Sequence, residues 1–232
     1  MRFRRKATSD EATPETPEAS DAPATPDASE DAAAPPPDVA TGPHDLADVD
    51  VDAETPGYVD LGALLVPGRA GLELRMQVDE RSQQVAAVLF VGDGGAVEIR
   101  PFAAPRNGGL WESVRRDIAA ETARRGGTAT EGPGPFGPEL RVMMSVTTQD
   151  GRSGQQASRV VGVDGPRWFL RATLLGKPAV DPDAAGPYVD AVRSVVVVRG
   201  QGAMAPGDAL PLKVPAEARK VVPPTAPDDE IE

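Results

Sequence analysis

Arginine side chains around an aromatic residue are the clearest candidates for chemistry in this sequence. Arg167, Phe169 and Arg171 alternate with Trp168 and Leu170, so in a strand the first three share one face. Guanidinium groups beside an aromatic ring can bind an anion or stack on a nucleic-acid base. The alternative is that Trp168 lies in the core and both arginines pair with carboxylates across the sheet. We predict that Arg167, Phe169 and Arg171 belong to a partner surface.

A second group of arginines lies in a segment with helical periodicity. The pairs Arg115–Arg116 and Arg124–Arg125 fall within residues 110–125 and could contact the phosphates of a nucleic acid. The same segment carries the acidic residues Glu112, Asp117 and Glu121. These carboxylates favour a solvated helix face with ion pairs between successive turns. We add Arg115 and Arg116 to the candidate partner surface and keep both alternatives open.

The residues that most often perform catalysis are scarce. The sequence has no cysteine and one histidine, His44, which excludes disulfides, thiolate nucleophiles, cysteine-ligated zinc and any pair of histidine ligands. Asp164, Asp181 and Asp183 cluster near turns, where aspartate caps the backbone far more often than it forms acid–base pairs. We therefore expect no enzymatic activity, no cofactor and no metal site.

A glycine pattern at residues 132–137 matches G-x-G-x-x-G. A dinucleotide-binding loop of this type follows a strand and opens a helix, whose free N–H groups bind phosphate. Here the predicted helix comes before the pattern and a predicted strand comes after it. Pro133 and Pro135 also remove two backbone donors. The pattern predicts a turn.

Acidic residues concentrate at the two ends of this 232-residue chain, whose formal net charge is −12. Residues 1–56 hold 14 acidic against 4 basic residues and no aromatic residue between Phe3 and Tyr58, a composition typical of disorder. Residues 57–200 are nearly balanced in charge and have the size of an ordinary globular domain. Residues 201–232 are predicted to be an extended acidic tail, of which residues 210–215 can dock on the domain.

Hydrophobic periodicity predicts the elements that position these residues. Residues 72–78 and 140–147 alternate between apolar and polar side chains, and residues 85–91 are apolar throughout, as in strands. Residues 110–125 have a helical period, and a second helix beginning at Asp181–Pro182 is broken or shortened at Gly186–Pro187. A strand is predicted at residues 195–198.

This order of elements predicts an α+β fold. We expect a single domain, a largely antiparallel sheet of about six to eight strands, and two helices packed on that sheet. Disordered tails flank the domain. The predicted core residues are Trp111, Val114, Ile118, Trp168, Leu170, Val196 and Val198.

Several distinctive strings occur in a fixed order. They are VDLG at 59–62, FAAPR at 102–106, GLW at 109–111, FGPEL at 136–140, GVDGPRWFLR at 162–171 and VVRG at 197–200. In these strings the chain resembles, over residues 57–215, the actinobacterial family labelled domain of unknown function 3710. The resemblance implies no activity, cofactor or catalytic residue. The strand–helix–strand order is also similar to the PsbP-like fold, which mostly serves as a non-catalytic binding or assembly module.

Together these observations predict a non-enzymatic binding or adaptor module with a protein partner. The alternative is an anion- or nucleic-acid-binding protein that uses surface arginines and is inhibited by its own acidic N-terminal segment. The basic start at residues 1–6 is not followed by an apolar stretch, and the longest apolar run, residues 85–91, is too short to cross a bilayer. We expect a cytoplasmic protein that does not bind membranes.

Overall fold

The computed structural model describes residues 42–147 and 153–215. In chain order its elements are β1 (His44–Asp45), a single 3₁₀ turn (Leu46–Asp48), β2 (Tyr58–Asp60), β3 (Leu64–Pro67), β4 (Glu73–Val78), β5 (Val85–Gly92), β6 (Gly95–Ala103), α1 (Leu110–Arg124), β7 (Thr128–Gly134), β8 (Gly137–Thr147), β9 (Ser153–Gly165), β10 (Trp168–Gly176), α2 (Lys177–Val180), α3 (Pro182–Arg193) and β11 (Val196–Val197). Of the tails predicted at residues 1–56 and 201–232, residues 1–41 and 216–232 lie outside the described residues. The α+β class is confirmed.

Seven strands form an antiparallel sheet in the order β4-β5-β6-β10-β9-β8-β7. Most neighbours in this sheet are also neighbours in sequence. Short hairpin turns join β5 to β6, β7 to β8 and β9 to β10. Gly94, with φ of +75°, closes the β5–β6 turn in a conformation that glycine adopts without strain. The exception is β6 beside β10, where Phe102 is opposite Phe169 and Arg100 is opposite Arg171. This long-range pairing joins the two halves of the sheet.

A second sheet of four short strands has the order β1-β11-β3-β2. The predicted antiparallel sheet of six to eight strands is confirmed, but this second sheet was not predicted. It forms because the apolar strands β3 and β11 pair with each other instead of joining the larger sheet. Together with α3, the small sheet covers one face of the large sheet. The main core lies between these layers and includes Leu64, Ile99, Trp168, Leu170 and Val192.

Helix α1 packs on the opposite face of the large sheet, over β7, β8 and β9. Trp111 on the helix and Phe169 on β10 are buried with Leu140 and Val160 in a second apolar cluster. A Cβ atom at Gly162 would clash with the Trp111 indole, so a glycine in β9 lets the helix approach closely. Complete burial of each large apolar side chain contributes about 1.5–3 kcal/mol.

The folded part begins earlier than the predicted boundary at residue 57. His44 and Asp45 form β1, which runs parallel to β11. The His44 amide donates to the Val195 carbonyl at 2.9 Å, and the Trp168 Nε1 donates to the Asp45 carboxylate at 2.6 Å. Sequence composition missed this segment because two residues in a strand leave no periodic pattern.

The C-terminal end of the predicted core differs in detail. The predicted strand 195–198 is reduced to the two residues of β11, of which Val196 is buried. Val198 lies beyond the strand and is only half-buried, while its amide donates to the Ala63 carbonyl at 2.8 Å. Helix α3 continues through Pro187 to Arg193, so the predicted break is wrong. Burial of Tyr188 and of the apolar residues that follow it offsets the lost backbone hydrogen bond.

Residues 207–213 lie along both sheets and connect them. The Leu210 amide donates to the Pro101 carbonyl on β6 at 3.0 Å, and the Lys213 amide donates to the Leu61 carbonyl at 2.9 Å. The Lys213 Nζ lies 2.6 Å from the Asp60 carboxylate. We call residues 207–213 the C-terminal strap, because it bridges the ends of β2 and β6.

The G-x-G-x-x-G pattern is part of the β7–β8 hairpin. Residues 132–134 end β7, and Gly137 begins β8 with φ of +99°. The prediction of a turn is confirmed. Strand β7 was not predicted, because Pro133 and two glycines obscure its strand character.

Candidate functional site

Helix α1 is positioned by a carboxylate far away in sequence. Gly109 precedes the helix and supplies no side-chain cap. Instead the Asp164 carboxylate, in β9, accepts hydrogen bonds from the Leu110 amide at 3.0 Å and the Trp111 amide at 3.3 Å. A carboxylate at this end satisfies orphan donors and complements the helix dipole. The interpretation of Asp164 as a backbone cap is correct, and Asp181 likewise caps α3 through the Asp183 amide.

Phe169 is not available to a partner. Its side chain is 1 % exposed, and its ring stacks between Phe102 and Trp111 at centroid distances of 5.9 Å to each. The assignment of Phe169 to a partner surface is therefore wrong. Alternation identified the correct side of the strand, but α1 covers that side. Trp168 and Leu170, on the other side, are buried in the main core as predicted.

The Arg115 side chain is held by contacts within the domain. Its guanidinium lies 5.7 Å from the centroid of the Trp111 ring, and its Nε is 3.1 Å from a Glu131 carboxylate oxygen. Only 14 % of the Arg115 side chain is exposed, so its assignment to a partner surface is corrected. Arg116 is exposed and lies 3.5 Å from Glu112, one helical turn away, as expected for a solvated helix face.

Arg167 lies in the turn before β10 and not on the strand. Its φ is +63°, a left-handed conformation that is uncommon for a residue with a Cβ. Its carbonyl accepts hydrogen bonds from the Ala104 amide and from Arg199 Nε, each at 2.9 Å. The backbone of Arg167 is thus fixed, but its side chain does not share a strand face with Arg171.

Arg171 differs from the other candidate arginines. It lies on β10 with its guanidinium 5.4 Å from the centroid of the Phe102 ring. Burial lowers its pKa and the nearby Arg100 lowers it further, while the Glu98 carboxylate opposes this shift only in part. Within the described residues it makes no side-chain hydrogen bond and no ion pair. Arg100, directly opposite on β6, has its own partner, because its Nε lies 2.7 Å from the Glu98 carboxylate.

A groove of about 420 Å³ lies between α1 and the sheet beside Arg171. Its apolar walls are Val114 and Ile118 from α1 and Met144 from β8. We call it the α1 groove. The predicted core residues Val114 and Ile118 therefore have two environments, because one side of each packs on the second cluster and another side borders the groove.

Acidic residues form the outer rim of the α1 groove. Glu121 is held by two arginines, Arg124 at 2.7 Å and Arg125 at 2.6 Å. Asp117 is exposed and has no ion-pair partner in the described part of the chain. The groove thus combines an apolar wall, a partly buried cation and one acidic rim position. This combination is typical of a site that recognises a partner side chain by both charge and shape.

Met144 and Arg100 also belong to this site, and neither was predicted from the sequence. Met144 follows the alternation of Leu140 and Val142 in β8, so a strand pattern does contain its signal. Arg100 has no such signal, because its place beside Arg171 depends on the long-range pairing of β6 with β10.

The described ranges, 42–147 and 153–215, contain no group of three or more His, Cys, Asp or Glu side chains that could hold a metal ion. None of the helices in the same ranges combines the length and the apolar composition needed to span a bilayer.

The fold and the site define an α+β domain of two sheets, with helix α1 leaving a partly open groove on the large sheet. A family model described as "Protein of unknown function (DUF3710)" matches residues 42–221, and the chain belongs to this family. The match begins where the described structure begins, which agrees with the inclusion of β1 in the domain. Among curated proteins, none matches the chain. The likeness to the PsbP-like fold stays a prediction.

Proposed function

We propose that this domain is a non-enzymatic binding module whose partner protein docks on α1 and in the α1 groove. The partner presents an acidic side chain to Arg171 and an aliphatic side chain to Val114, Ile118 and Met144. A cytoplasmic location is part of this proposal, and cell fractionation tests it.

The observation that carries the proposal is that Arg171 is partly buried and makes no ion pair within the described residues. A charge that is partly removed from water without a hydrogen-bonded counter-charge is unfavourable. The lowered pKa of Arg171 reflects this burial, which the nearby Glu98 carboxylate, already paired with Arg100, offsets only in part. A partner carboxylate would supply the missing charge-assisted hydrogen bonds in a site already partly desolvated. Arginine is enriched among the residues that dominate binding energy in interfaces. The apolar wall beside it supplies the contact area.

The non-enzymatic part of the proposal is supported by the chemistry of the side chains. The sequence has no cysteine, and its single histidine is His44, which lies in β1 of the small sheet. The carboxylates whose pKa is perturbed, at Asp52, Asp60, Glu73 and Asp79, all have lowered values. A general acid near neutral pH needs the opposite shift.

Affinity capture with matched variants tests this proposal. The full chain serves as bait in native lysate as wild type, Arg171→Gln and Arg75→Gln. Arg75 is the control, because it is an exposed arginine on the edge strand β4 that is paired with Glu73 at 2.7 Å. We expect one reproducible partner with the wild type and the control, and at least about tenfold less of it with Arg171→Gln.

Two results would contradict the proposal. One is the absence of any reproducible partner for the wild type. The other is a partner that Arg171→Gln captures as well as the wild type does, since the groove would then not be the docking site.

Nucleic-acid binding, the alternative from the sequence, gains no further support. The four arginines in and directly after α1 that could contact phosphates each have a carboxylate within 4 Å. These carboxylates are Glu131 for Arg115, Glu112 for Arg116, and Glu121 for Arg124 and Arg125. This function stays a prediction, and deletion of the acidic N-terminal segment tests it.

A further inference from the structure

Two arginines face each other on the side of the large sheet opposite α1. Arg141 on β8 and Arg159 on β9 are direct cross-strand partners. Like charges in directly opposite positions destabilise a sheet. Their side chains differ in exposure, since that of Arg141 is 61 % exposed and that of Arg159 is 10 % exposed.

One buried carboxylate lies between these two arginines. Glu139 is 1 % exposed, with one oxygen 3.2 Å from Arg141 Nε and the other 3.1 Å from Arg159 Nε. The cluster therefore keeps one net positive charge. The contact with Arg159 is incomplete, because Arg159 Nε and Glu139 Oε2 are both buried without a hydrogen-bond partner of suitable geometry. Gly134 packs so closely that a Cβ atom there would clash with the Glu139 carboxylate, so Glu139 has little room to move.

The two arginines belong to the floor of a groove of about 360 Å³. Strand register divides this floor into two rows. Thr130, Arg141 and Arg159 are aligned across β7, β8 and β9, and Thr128, Met143 and Ala157 form the next row. Because rows on one face are two residues apart, the polar row and the apolar row are separated by about 7 Å. We call this site the β7–β9 groove.

The wall of the β7–β9 groove is apolar. Val180 at the end of α2 and Pro182 at the start of α3 line it. Val180 is 65 % exposed and Met143 is 36 % exposed, and both are among the most exposed large hydrophobic residues of the described chain. An excess of positive charge therefore lies one row away from an exposed apolar patch.

We propose that the β7–β9 groove binds a small amphiphilic oxyanion, with a phosphate or carboxylate group at Thr130, Arg141 and Arg159 and an apolar body over Met143 and Val180. The oxyanion would supply the counter-charge that Glu139 provides only in part, and guanidinium groups bind such oxygens through paired hydrogen bonds. A volume of about 360 Å³ is within the usual range for small-molecule sites. This site is on the opposite face from the α1 groove and does not depend on the function proposed for it.

Calorimetric titration of the full chain with defined probes tests this proposal. The probes are octyl phosphate, octanoate, inorganic phosphate and octyltrimethylammonium, all below their critical micelle concentrations. We expect octyl phosphate or octanoate to bind at least about tenfold tighter than inorganic phosphate, because burial of the octyl chain adds hydrophobic free energy. The tighter of the two identifies the head group. Octyltrimethylammonium should not bind.

Three variants locate the binding. Arg141→Gln keeps a donor near Glu139 and should weaken binding of the tighter octyl probe by about tenfold or more. Val180→Glu changes an exposed side chain, does not disturb the buried ion pair, and should weaken binding similarly by repulsion. Arg75→Gln, on the far edge of the sheet, is the control and should bind as the wild type does. The proposal is overturned if neither octyl anion binds tighter than inorganic phosphate, if octyltrimethylammonium binds equally well, or if a correctly folded Val180→Glu binds like the wild type.

Discussion

Arg171 and Arg159 are both shielded from solvent on the large sheet, but they differ in ion pairing. Arg159 is buried beside the Glu139 carboxylate at 3.1 Å. Arg171 is partly buried on a neighbouring strand, and in the described residues its guanidinium contacts the ring of Phe102 but no carboxylate. A paired charge stabilises the fold only together with its partner, whereas an unpaired one costs free energy that binding can recover.

This contrast predicts opposite effects for one substitution at two positions. Arg171→Met should change the free energy of unfolding by less than about 1 kcal/mol, because loss of the contact with Phe102 is offset by relief of the desolvated charge. Arg159→Met should destabilise by about 1–3 kcal/mol, because Glu139 Oε2 is then buried without its arginine while Arg141 still pairs with the other oxygen. Urea denaturation of both variants measures this. Equal losses would contradict the distinction between a structural and a binding arginine.

Helix α1 depends on a residue that is distant in sequence. Asp164 accepts from the first two amides of the helix, and the helix in turn forms one wall of the α1 groove. Asp164→Ala should therefore destabilise the protein by about 1 kcal/mol, while Asp164→Asn, which keeps an acceptor, should cost less. Chemical denaturation compares the two variants. An unchanged stability of Asp164→Ala would mean that solvent satisfies these amides equally well.

The C-terminal strap makes stability depend on acid pH. Burial acts to raise the pKa of Asp60, but hydrogen bonds from Lys213 and the Gly62 amide outweigh it and the pKa is lowered. A carboxyl with a lowered folded-state pKa contributes stability above its unfolded pKa of about 4 and loses it as pH falls through the folded value.

Lys213→Met tests that contribution. The variant should be less stable than wild type by less than about 1 kcal/mol at pH 6, since the pair is partly exposed. The difference should disappear as the pH falls well below 4 and Asp60 becomes protonated. Thermal melts at a series of pH values measure it. A difference that persists at pH 2 would show that the strap is held by packing alone.

At the scale of the whole molecule, deletion of the acidic N-terminal segment distinguishes the protein-binding proposal from the nucleic-acid-binding alternative. Because β1 belongs to the domain, a deletion must stop at residue 41. We expect the 42–232 fragment to melt as the full chain does and to bind DNA no more tightly, because the arginines of α1 have carboxylates beside them. Anisotropy of a labelled duplex at 50 and 200 mM salt, chosen to span the steep range, measures this. A strong, salt-sensitive gain in affinity would instead support the autoinhibited nucleic-acid-binding alternative.

Local sequence patterns predicted the local parts of this molecule well. The helix predicted at 110–125 is α1 within one residue, and the alternation in residues 167–171 placed Trp168 and Leu170 correctly in the main core. These features depend on neighbours within a few positions, whose periodicity is visible in the sequence. The turn at residues 132–137 was equally local.

Features set by long-range pairing could not be predicted in this way. Phe169 was assigned to the surface because alternation cannot tell whether a helix covers a strand face. The strand β1 and the alignment of Arg141 with Arg159 depend on strand pairing and register, which a single sequence does not encode in any short pattern. Each candidate site is built from such a pairing, and this explains why the sequence identified Arg171 but not its groove.

The most direct test of the account is photocrosslinking from the rim of the α1 groove in the native host. A photoreactive amino acid replaces Asp117, which is exposed beside the groove, and in a control it replaces Glu80, which is exposed in the β4–β5 turn. We predict that position 117 crosslinks one protein, that position 80 does not, and that Arg171→Gln abolishes the crosslink at 117. No crosslink from 117, or the same crosslink from both positions, would contradict the claim that this groove is a docking site.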